Sequence, residues 1–340
     1  MTIERRRSEA PVSARWVVGV DIGGTNLVVG AIPCDGGPPV GVRRQETKPE
    51  RGADAAVGDI ACMAEEVITE TLGLHDGSRD DFVGVGIGCP GPLDPAEGVV
   101  IDTPNLGWKD YPIRDRIGDR LSLPASLDND ANCATYGEWW QGVGQGVDSL
   151  VGVTLGTGIG GGFILDGKVV RGASGVAGEI GHMTIDFTGR RCACGNYGCL
   201  EAYASGPNIA ARAREGLDAG YESILSDLVE GDLGRITALT VYDALVLGDE
   251  YAESVMTETA KILGVGIANI VNLLNPDMIV VVGGVTRAGD QLFGPLRSEV
   301  RRRAFKTAVS ACEILPGALP ETAGVIGAAG IFISEYGSGE

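Results

Sequence analysis

Positive charge is scarce in this sequence. Its 340 residues include 27 lysines and arginines against 46 aspartates and glutamates, so the formal net charge is -19. Proteins hold nucleic-acid phosphates with basic patches, and the one basic run here, Arg5-Arg6-Arg7, lies in a short N-terminal tail. We therefore expect no nucleic-acid partner.

Long apolar runs are also missing. A helix that spans a bilayer needs roughly 20 consecutive apolar residues, and no stretch approaches that length. The opening residues do not contain the apolar core of a signal peptide. Five of the eight cysteines are scattered singly, which is typical of a reducing compartment: Cys34, Cys62, Cys89, Cys133 and Cys312. These features predict a cytoplasmic protein without a membrane partner.

Histidine is rare, with two in the whole chain, and one of them lies in the most informative segment, EIGHMTIDFTGRRCACGNYGCLEAY at 179–203. One imidazole and three closely spaced thiolates are a ligand set that zinc prefers in closed structural sites. The sequence therefore predicts a structural zinc site formed by His182, Cys192, Cys194 and Cys199. Three buried free cysteines, or one disulfide with a spare thiol, are the alternatives.

The composition around these ligands supports a folded metal loop. Gly189, Gly195 and Gly198 would allow the tight turns that direct all three sulfur atoms inward. Glu179 and Glu201 flank the ligands. A metal ion that rigidifies these carboxylates would help them to bind the hydroxyl groups of a small polar ligand.

The sequence indicates an internal duplication, with two halves of similar architecture. At 340 residues it exceeds one ordinary core, which favours two domains with a cleft between them. VGVDIGGT at 18–25 aligns with VGVTLGTG at 151–158, each an apolar strand that enters a glycine-threonine turn. Predicted strands at 16–20, 27–32, 82–87, 150–155, 161–164, 168–170 and 278–282 alternate with helices at 55–72 and 251–274. This pattern is typical of α/β proteins.

An apolar helix at 322–336 has no sheet of its own and is expected to pack on the first domain.

Two glycine-rich turns could bind phosphate. DIGGT at 21–25 and LGTGIGGG at 155–162 offer backbone amides and threonine hydroxyls. Either turn alone could be an ordinary strand connection, but a facing pair would hold a polyphosphate from both sides of a cleft. Asp21 beside the first turn suits magnesium, directly or through water. Gly283 and Gly284 could lie under a base and ribose, or could form a plain strand-helix turn. The lysine-containing phosphate-loop pattern GxxxxGK[ST] is absent.

Asp130 is the candidate catalytic residue. It follows Asn129 where an apolar approach ends and a helix begins, so both residues could be helix N-caps. A helix start favours the charged carboxylate by roughly 0.3 to 1 kcal/mol, which predicts a depressed basicity. Phosphoryl transfer needs only an aspartate that orients the attacking hydroxyl and receives its proton late.

These motifs together resemble the ROK family, whose bacterial members are mostly sugar kinases, with the best match to its glucokinases. The resemblance runs from about residue 16 onward through DIGGT, GCPGPLD, TPNLGW, DNDAN, GTGIGGG, EIGH and CACGNYGCLE. It implies an α/β, actin/hexokinase-like (ribonuclease H-like) duplicated two-domain fold with an interdomain cleft. The domains expected are a disordered tail at 1–14, a smaller α/β domain at 15–128 plus 322–337, and a larger α/β domain with the zinc loop at 129–321.

The resemblance also implies roles for residues. Asp130 is expected to take the proton of the sugar 6-hydroxyl, while His182 binds zinc through one ring nitrogen and sugar through the other. The other sugar contacts expected are Asn105, Asn129, Glu179 and Glu201. The nucleotide is expected at Asp21, Gly23, Gly24, Thr25, Asn26, Thr157, Gly158, Gly283 and Gly284. The implied cofactors are ATP, Mg²⁺ and structural Zn²⁺.

The function implied is phosphorylation of glucose by ATP to glucose 6-phosphate. A kinase for N-acetylmannosamine, mannose or fructose is one alternative, and a non-catalytic sugar sensor is another. Repressors of the family carry a DNA-binding domain before the DxGGT turn, whereas about twenty residues precede Asp21 here, so we expect an enzyme. Family resemblance suggests a homodimer or homotetramer.

Overall fold

Two five-stranded sheets with the same strand order form the framework of this computed structural model, which describes residues 15–337. The predicted tail at 1–14 lies outside the described residues. The first sheet has the order β3-β2-β1-β4-β8. Its strands are β1 (Trp16–Ile22), β2 (Asn26–Pro33), β3 (Val40–Glu46), β4 (Phe82–Cys89) and β8 (Ala125–Asn129). The first three strands are antiparallel neighbours, and β4 and β8 join in parallel.

The second sheet repeats this topology in the order β11-β10-β9-β12-β13. Its strands are β9 (Leu150–Leu155), β10 (Ile159–Leu165), β11 (Lys168–Val169), β12 (Met278–Val282) and β13 (Glu313–Pro316). Again three antiparallel strands are followed by two parallel ones. The predicted duplication and the α/β fold class are confirmed. A small third sheet of β5 (Leu93–Asp94), β6 (Val99–Thr103) and β7 (Trp108–Tyr111) had no sequence signal.

Helices cover the sheets because their apolar faces pack against the apolar side chains of the strands. In the first half these are α1 (Ala53–His75) and α2 (Ile113–Leu121), and α3 (Asp130–Trp140) leads into the second half. The second half contains α4 (Glu201–Ala204), α5 (Gly206–Asp218), α6 (Leu225–Leu228), α7 (Ala238–Val246), α8 (Glu250–Leu274), α9 (Asp290–Arg303) and α10 (Lys306–Ala311). Predicted element ends differ from these bounds by a few residues, as for α1, because helix ends have weak local signals.

The last helix, α11 (Ala323–Tyr336), packs across β1, β4 and α3, as expected from its apolar sequence. Glycines make this contact close. A Cβ atom on Gly19 would lie 2.1 Å from the carbonyl oxygen of Val325, and one on Gly86 would lie 2.0 Å from that of Ala328. The helix therefore returns the chain from the second sheet to the first. The numerical domain limits stay predictions. Within residues 15–337, no helix is long and apolar enough to cross a membrane.

Candidate active site and metal centre

A cavity of about 850 Å³ lies between the two sheets and is lined from both halves of the chain. It brings together fourteen of the residues that the sequence proposed for substrate and nucleotide: Asp21, Gly23, Gly24, Thr25, Asn105, Asn129, Asp130, Thr157, Gly158, Glu179, His182, Glu201, Gly283 and Gly284. Asn26 does not line the cavity. Its backbone carbonyl accepts a hydrogen bond from Gly23 N at 2.8 Å and thereby closes the first turn.

The first glycine turn is stabilised by Thr47, the residue that follows β3. Thr47 donates its hydroxyl to Gly23 O at 2.7 Å and its backbone N–H to Thr25 O at 2.9 Å. Asn105 lies beside the same turn, because a Cβ atom on Gly24 would be 3.7 Å from Asn105 Cβ. Sequence reasoning missed Thr47, since nothing local marks a threonine whose partners are more than twenty residues away. The turn is thus held open toward the cavity.

The second glycine turn is braced by Glu201. The Oε2 atom of Glu201 accepts the backbone N–H of Ile159 at 2.8 Å, and a Cβ atom on Gly158 would lie 2.6 Å from the same oxygen. Gly283, which follows β12, has φ of +117°, and a Cβ there would be 2.0 Å from Leu155 O. Both glycines are therefore required by close approach. Glu201 connects the segment that carries the cysteines to the turn that faces the first glycine turn across the cavity.

Asp130 is the first residue of α3, and Asn129 is its N-cap. Asn129 Oδ1 accepts the N–H groups of Ala131 at 2.9 Å and Asn132 at 3.3 Å, and Asp130 Oδ1 accepts that of Ala131 at 2.9 Å. Burial raises the pKa of Asp130 to about 6, and the charge of Glu179 adds to the rise against these opposing hydrogen bonds. The predicted depression of basicity is wrong, because desolvation deep in the cavity outweighs the small effect of a helix start.

A second carboxylate, Asp21, lies in β1 with an unusual affinity for protons. Burial and then the charge of Asp130 raise the pKa of Asp21 to about 7, while Arg44 opposes the rise. Gly324 makes room for this side chain, since a Cβ there would be 2.2 Å from Asp21 Oδ2. Because a divalent cation would stabilise the ionised form of a carboxylate in this position, the chemistry of the site fits Mg²⁺.

The four predicted metal ligands lie together. The ligand atoms of His182, Cys192, Cys194 and Cys199 are all within 4.8 Å of one another. Cys194 Sγ is 3.7 Å from Cys199 Sγ, and Cys192 Sγ is 3.8 Å from His182 Nδ1. Tetrahedral bonds of about 2.3 Å place two sulfur ligands about 3.8 Å apart, so this arrangement fits a zinc-sized ion. All eight cysteines are free, so the proposed disulfide alternative is not formed.

The glycines of the metal loop differ in their roles. Gly195 and Gly198 have φ of +93° and +69°, as predicted for tight turns. Gly189 does not have a positive φ. Its N–H closes a turn onto Asp186 O at 3.0 Å, and a Cβ atom there would lie 1.8 Å from Tyr203 Oη, so close packing, rather than a positive φ, requires this glycine.

His182 connects the metal ligands to the cavity. It ends a short 3-10 helix, Ile180–His182, with Nδ1 toward Cys192 Sγ and Nε2 3.9 Å from Glu179 Oε2. Gly181 allows this segment to approach β10, because a Cβ there would be 2.1 Å from Ile159 O. The two ring nitrogens therefore face different surroundings.

Two buried carboxylates around α3 were not proposed from the sequence. Asp128 accepts hydrogen bonds from Arg171 Nε at 2.7 Å and from Asn132 Nδ2 at 2.8 Å. Glu138 lines the cavity and accepts the N–H groups of Ala318 at 3.0 Å and Leu319 at 2.9 Å. Both hold α3 against distant segments of chain, which no local pattern indicates.

Comparisons with known proteins agree with this architecture. The model of the family described as the ROK family matches residues 17–335. The chain is 38% identical to a glucokinase of Halalkalibacterium halodurans over 93% of this chain and 94% of that protein. It is 36% identical to a glucokinase of Thermotoga maritima over 94% and 98% of the two chains. The crystal structure of a ROK family glucokinase from Streptomyces griseus in complex with glucose and AMPPNP superposes with a TM-score of 0.80 at 33% identity, covering 93% of this chain and 98% of that one.

Proposed function

The chain belongs to the ROK family, and on that premise we propose that it transfers the terminal phosphoryl group of ATP to the 6-hydroxyl of glucose. The observation that carries this proposal is the placement of Asp130. It lies in one cavity with both glycine turns and with the Glu179 and His182 pair. The relative from Streptomyces griseus binds glucose and AMPPNP together, which supports two adjacent substrates in such a cleft.

Asp130 orients the sugar hydroxyl and takes its proton. With a pKa of about 6, it is mostly ionised at neutral pH and is still basic enough to accept a proton late in the reaction. The hydrogen bond that its carboxylate accepts from the backbone N–H of Ala131 fixes its direction. Asn105, Asn129, Glu179, His182 and Glu201 bind the remaining hydroxyls, and closure of the cleft excludes water that would otherwise accept the phosphoryl group.

The nucleotide lies between the two turns. Gly23, Gly24 and Thr25 bind phosphate oxygens from one side, Thr157 and Gly158 bind them from the other, and Gly283 and Gly284 lie under the adenosine. Asp21 would hold Mg²⁺, directly or through water, and the bound cation would neutralise charge that develops on the phosphates.

His182, Cys192, Cys194 and Cys199 would hold a structural zinc ion. Three thiolates and one imidazole leave no open position in a tetrahedral site, which is the arrangement of structural rather than catalytic zinc. His182 would bind zinc through Nδ1, which would leave Nε2 free for a sugar hydroxyl. Glu201 lies just after the loop and accepts the N–H of Ile159, so a bound ion would also stabilise the second glycine turn.

Two other functions remain as alternatives. A kinase for another hexose would use the same residues, since epimers differ by one hydroxyl group. A sugar sensor without turnover would not need Asp130 or the DIGGT turn, and both are present. We further propose a cytoplasmic location, where ATP is available and free thiols persist, and a homodimer or homotetramer, which light scattering after size exclusion measures.

A coupled assay for ADP release tests the proposal. Glucose, mannose, fructose and N-acetylmannosamine are compared as acceptors, with ATP or polyphosphate as donor. We expect the largest kcat/KM with glucose and ATP. Preference for another hexose would support the first alternative, and binding of a sugar without ADP release would support the sensor.

A further inference from the structure

The cavity is strongly acidic for a site that receives a polyphosphate. Six carboxylates line it: Asp21, Asp130, Glu138, Glu179, Glu201 and Glu321. Among the residues that the structure describes, only two guanidinium groups line it, those of Arg44 and Arg287. The lysine of phosphate-loop proteins is absent from the sequence. Apart from Mg²⁺ at Asp21, backbone amides alone would have to balance the charge of ATP against this acidic lining, unless one of the arginines contributes.

The sheet register places Arg44 on the same face of the first sheet as Asp21, the residue proposed to hold Mg²⁺. Val28 is the cross-strand partner of both Asp21 in β1 and Arg44 in β3. Because cross-strand partners point to the same face, Arg44 projects on the face of the sheet that carries Asp21. Three residues further on, Thr47 binds the first glycine turn. Arg287, by contrast, lies in the 3-10 helix Gly284–Ala288 on the proposed adenosine side.

The present partner of Arg44 holds it weakly. Arg44 Nη1 is 3.1 Å from Glu321 Oε2, and the two side chains are 43% and 59% exposed. Ion pairs this exposed contribute roughly 0 to 1 kcal/mol, so a phosphate group can replace the carboxylate.

We propose that Arg44 exchanges Glu321 for the terminal phosphates of bound ATP and supplies the mobile positive charge of this cleft. The proposal rests on the proposed kinase function. In a loose transition state, charge spreads over the oxygens of the transferred phosphoryl group, and a guanidinium can donate two hydrogen bonds to them. Arg44 is thus a catalytic residue, and Glu321 is its resting partner.

Four variants test this role by steady-state kinetics. Arg44→Ala removes the charge and is expected to lower kcat/KM for ATP roughly 10- to 100-fold, with the KM for glucose unchanged, since the charge-assisted hydrogen bonding to the phosphates is lost. Arg44→Lys is expected to recover part of the loss. Glu321→Gln frees the arginine, so its kcat/KM for ATP should not fall. Arg43→Ala is the matched control, because this neighbour on β3 pairs instead with Glu66 and Glu70 of α1.

If the Arg44–Glu321 pair served only to stabilise the fold, Arg44→Ala and Glu321→Gln would reduce activity alike, and our proposal would be wrong. An Arg44→Ala effect no larger than that of Arg43→Ala would overturn it as well.

Calorimetric binding separates this proposal from the kinase function. ATP and adenosine are titrated into the unaltered protein and into Arg44→Ala, without sugar. We expect weaker binding of ATP to the variant and equal binding of adenosine. Equal losses for both ligands, no loss for ATP, or no ATP binding by the unaltered protein would each overturn the role of Arg44. If no sugar is phosphorylated but the phosphate-dependent loss is seen, the kinase function fails and the role of Arg44 in binding ATP stands.

Discussion

Replacement of Asp130 by asparagine should separate activity from stability. Asparagine has the same shape, still accepts the N–H of Ala131 and leaves the Asn129 cap intact. It cannot take a proton from the sugar hydroxyl. A positioned general base contributes roughly 10²- to 10⁴-fold, so we expect kcat to fall by that factor. The KM for the hexose should change little, because the hydrogen-bonding groups around it remain.

The same change should stabilise the fold. Burial raises the pKa of Asp130 from 3.8 to about 6, so above pH 4 the unfolded chain ionises more readily than the folded one. Stability therefore falls as the pH rises from about 4 to 6 and stays lower at pH 7. A pKa shift of about two units corresponds to a loss of about 3 kcal/mol in the free energy of unfolding at pH 7. Because the side chain is partly open to the cavity, solvent screens part of this effect, and we expect Asp130→Asn to stabilise the fold by about 1 to 3 kcal/mol.

The measurements are ADP release and thermal unfolding at pH 7. Asp130→Asn should lose turnover while its Tm rises by a few degrees, the pattern of a site whose charge opposes folding. Near-normal turnover in Asp130→Asn would remove this residue from the mechanism. A lower Tm would refute the argument from burial.

Three other predictions follow from the site. First, kcat/KM should rise with pH through about 6, because protonated Asp130 cannot accept a proton, and a profile flat from pH 5 to 8 would contradict this. Second, active protein should contain about one zinc per chain, and metal analysis that finds none would disprove the site. Removal of the zinc, or Cys199→Ser, should raise the KM for ATP as well as for glucose, because Glu201 of this segment accepts the N–H of Ile159 in the second glycine turn. Third, Glu138→Ala should lower the free energy of unfolding by about 2 to 4 kcal/mol, because it leaves the N–H groups of Ala318 and Leu319 without their acceptor. A decrease of less than about 0.5 kcal/mol in a denaturant titration would refute this.

Local patterns were sufficient for much of the architecture. The paired glycine turns and the apolar strands before them predicted the duplication, because each signal lies within about ten residues. The metal ligands were equally accessible, since three of the four are within eight positions and cysteine and histidine have few other reasons to cluster. The small sheet of β5, β6 and β7 was missed because strands this short carry little periodicity.

Long-range partners were not accessible in this way. Arg171 is 43 residues from Asp128, and Ala318 is 180 residues from Glu138. Arg44 and Asp21 share a face only because β1, β2 and β3 pair in one particular register. An arginine in a polar strand has no local mark that distinguishes it from any solvated residue.

The sequence alone determined the kinds of chemical group at this site and their order along the chain, since ligand types, turn residues and the helix-start aspartate are properties of short segments. Only the tertiary structure decided how those groups behave. The basicity of Asp130 was predicted with the wrong sign because its pKa depends on how much protein surrounds the carboxylate. Burial and proximity arise from the packing of segments that are far apart in the chain, and the electrostatic energy of a charge depends on both.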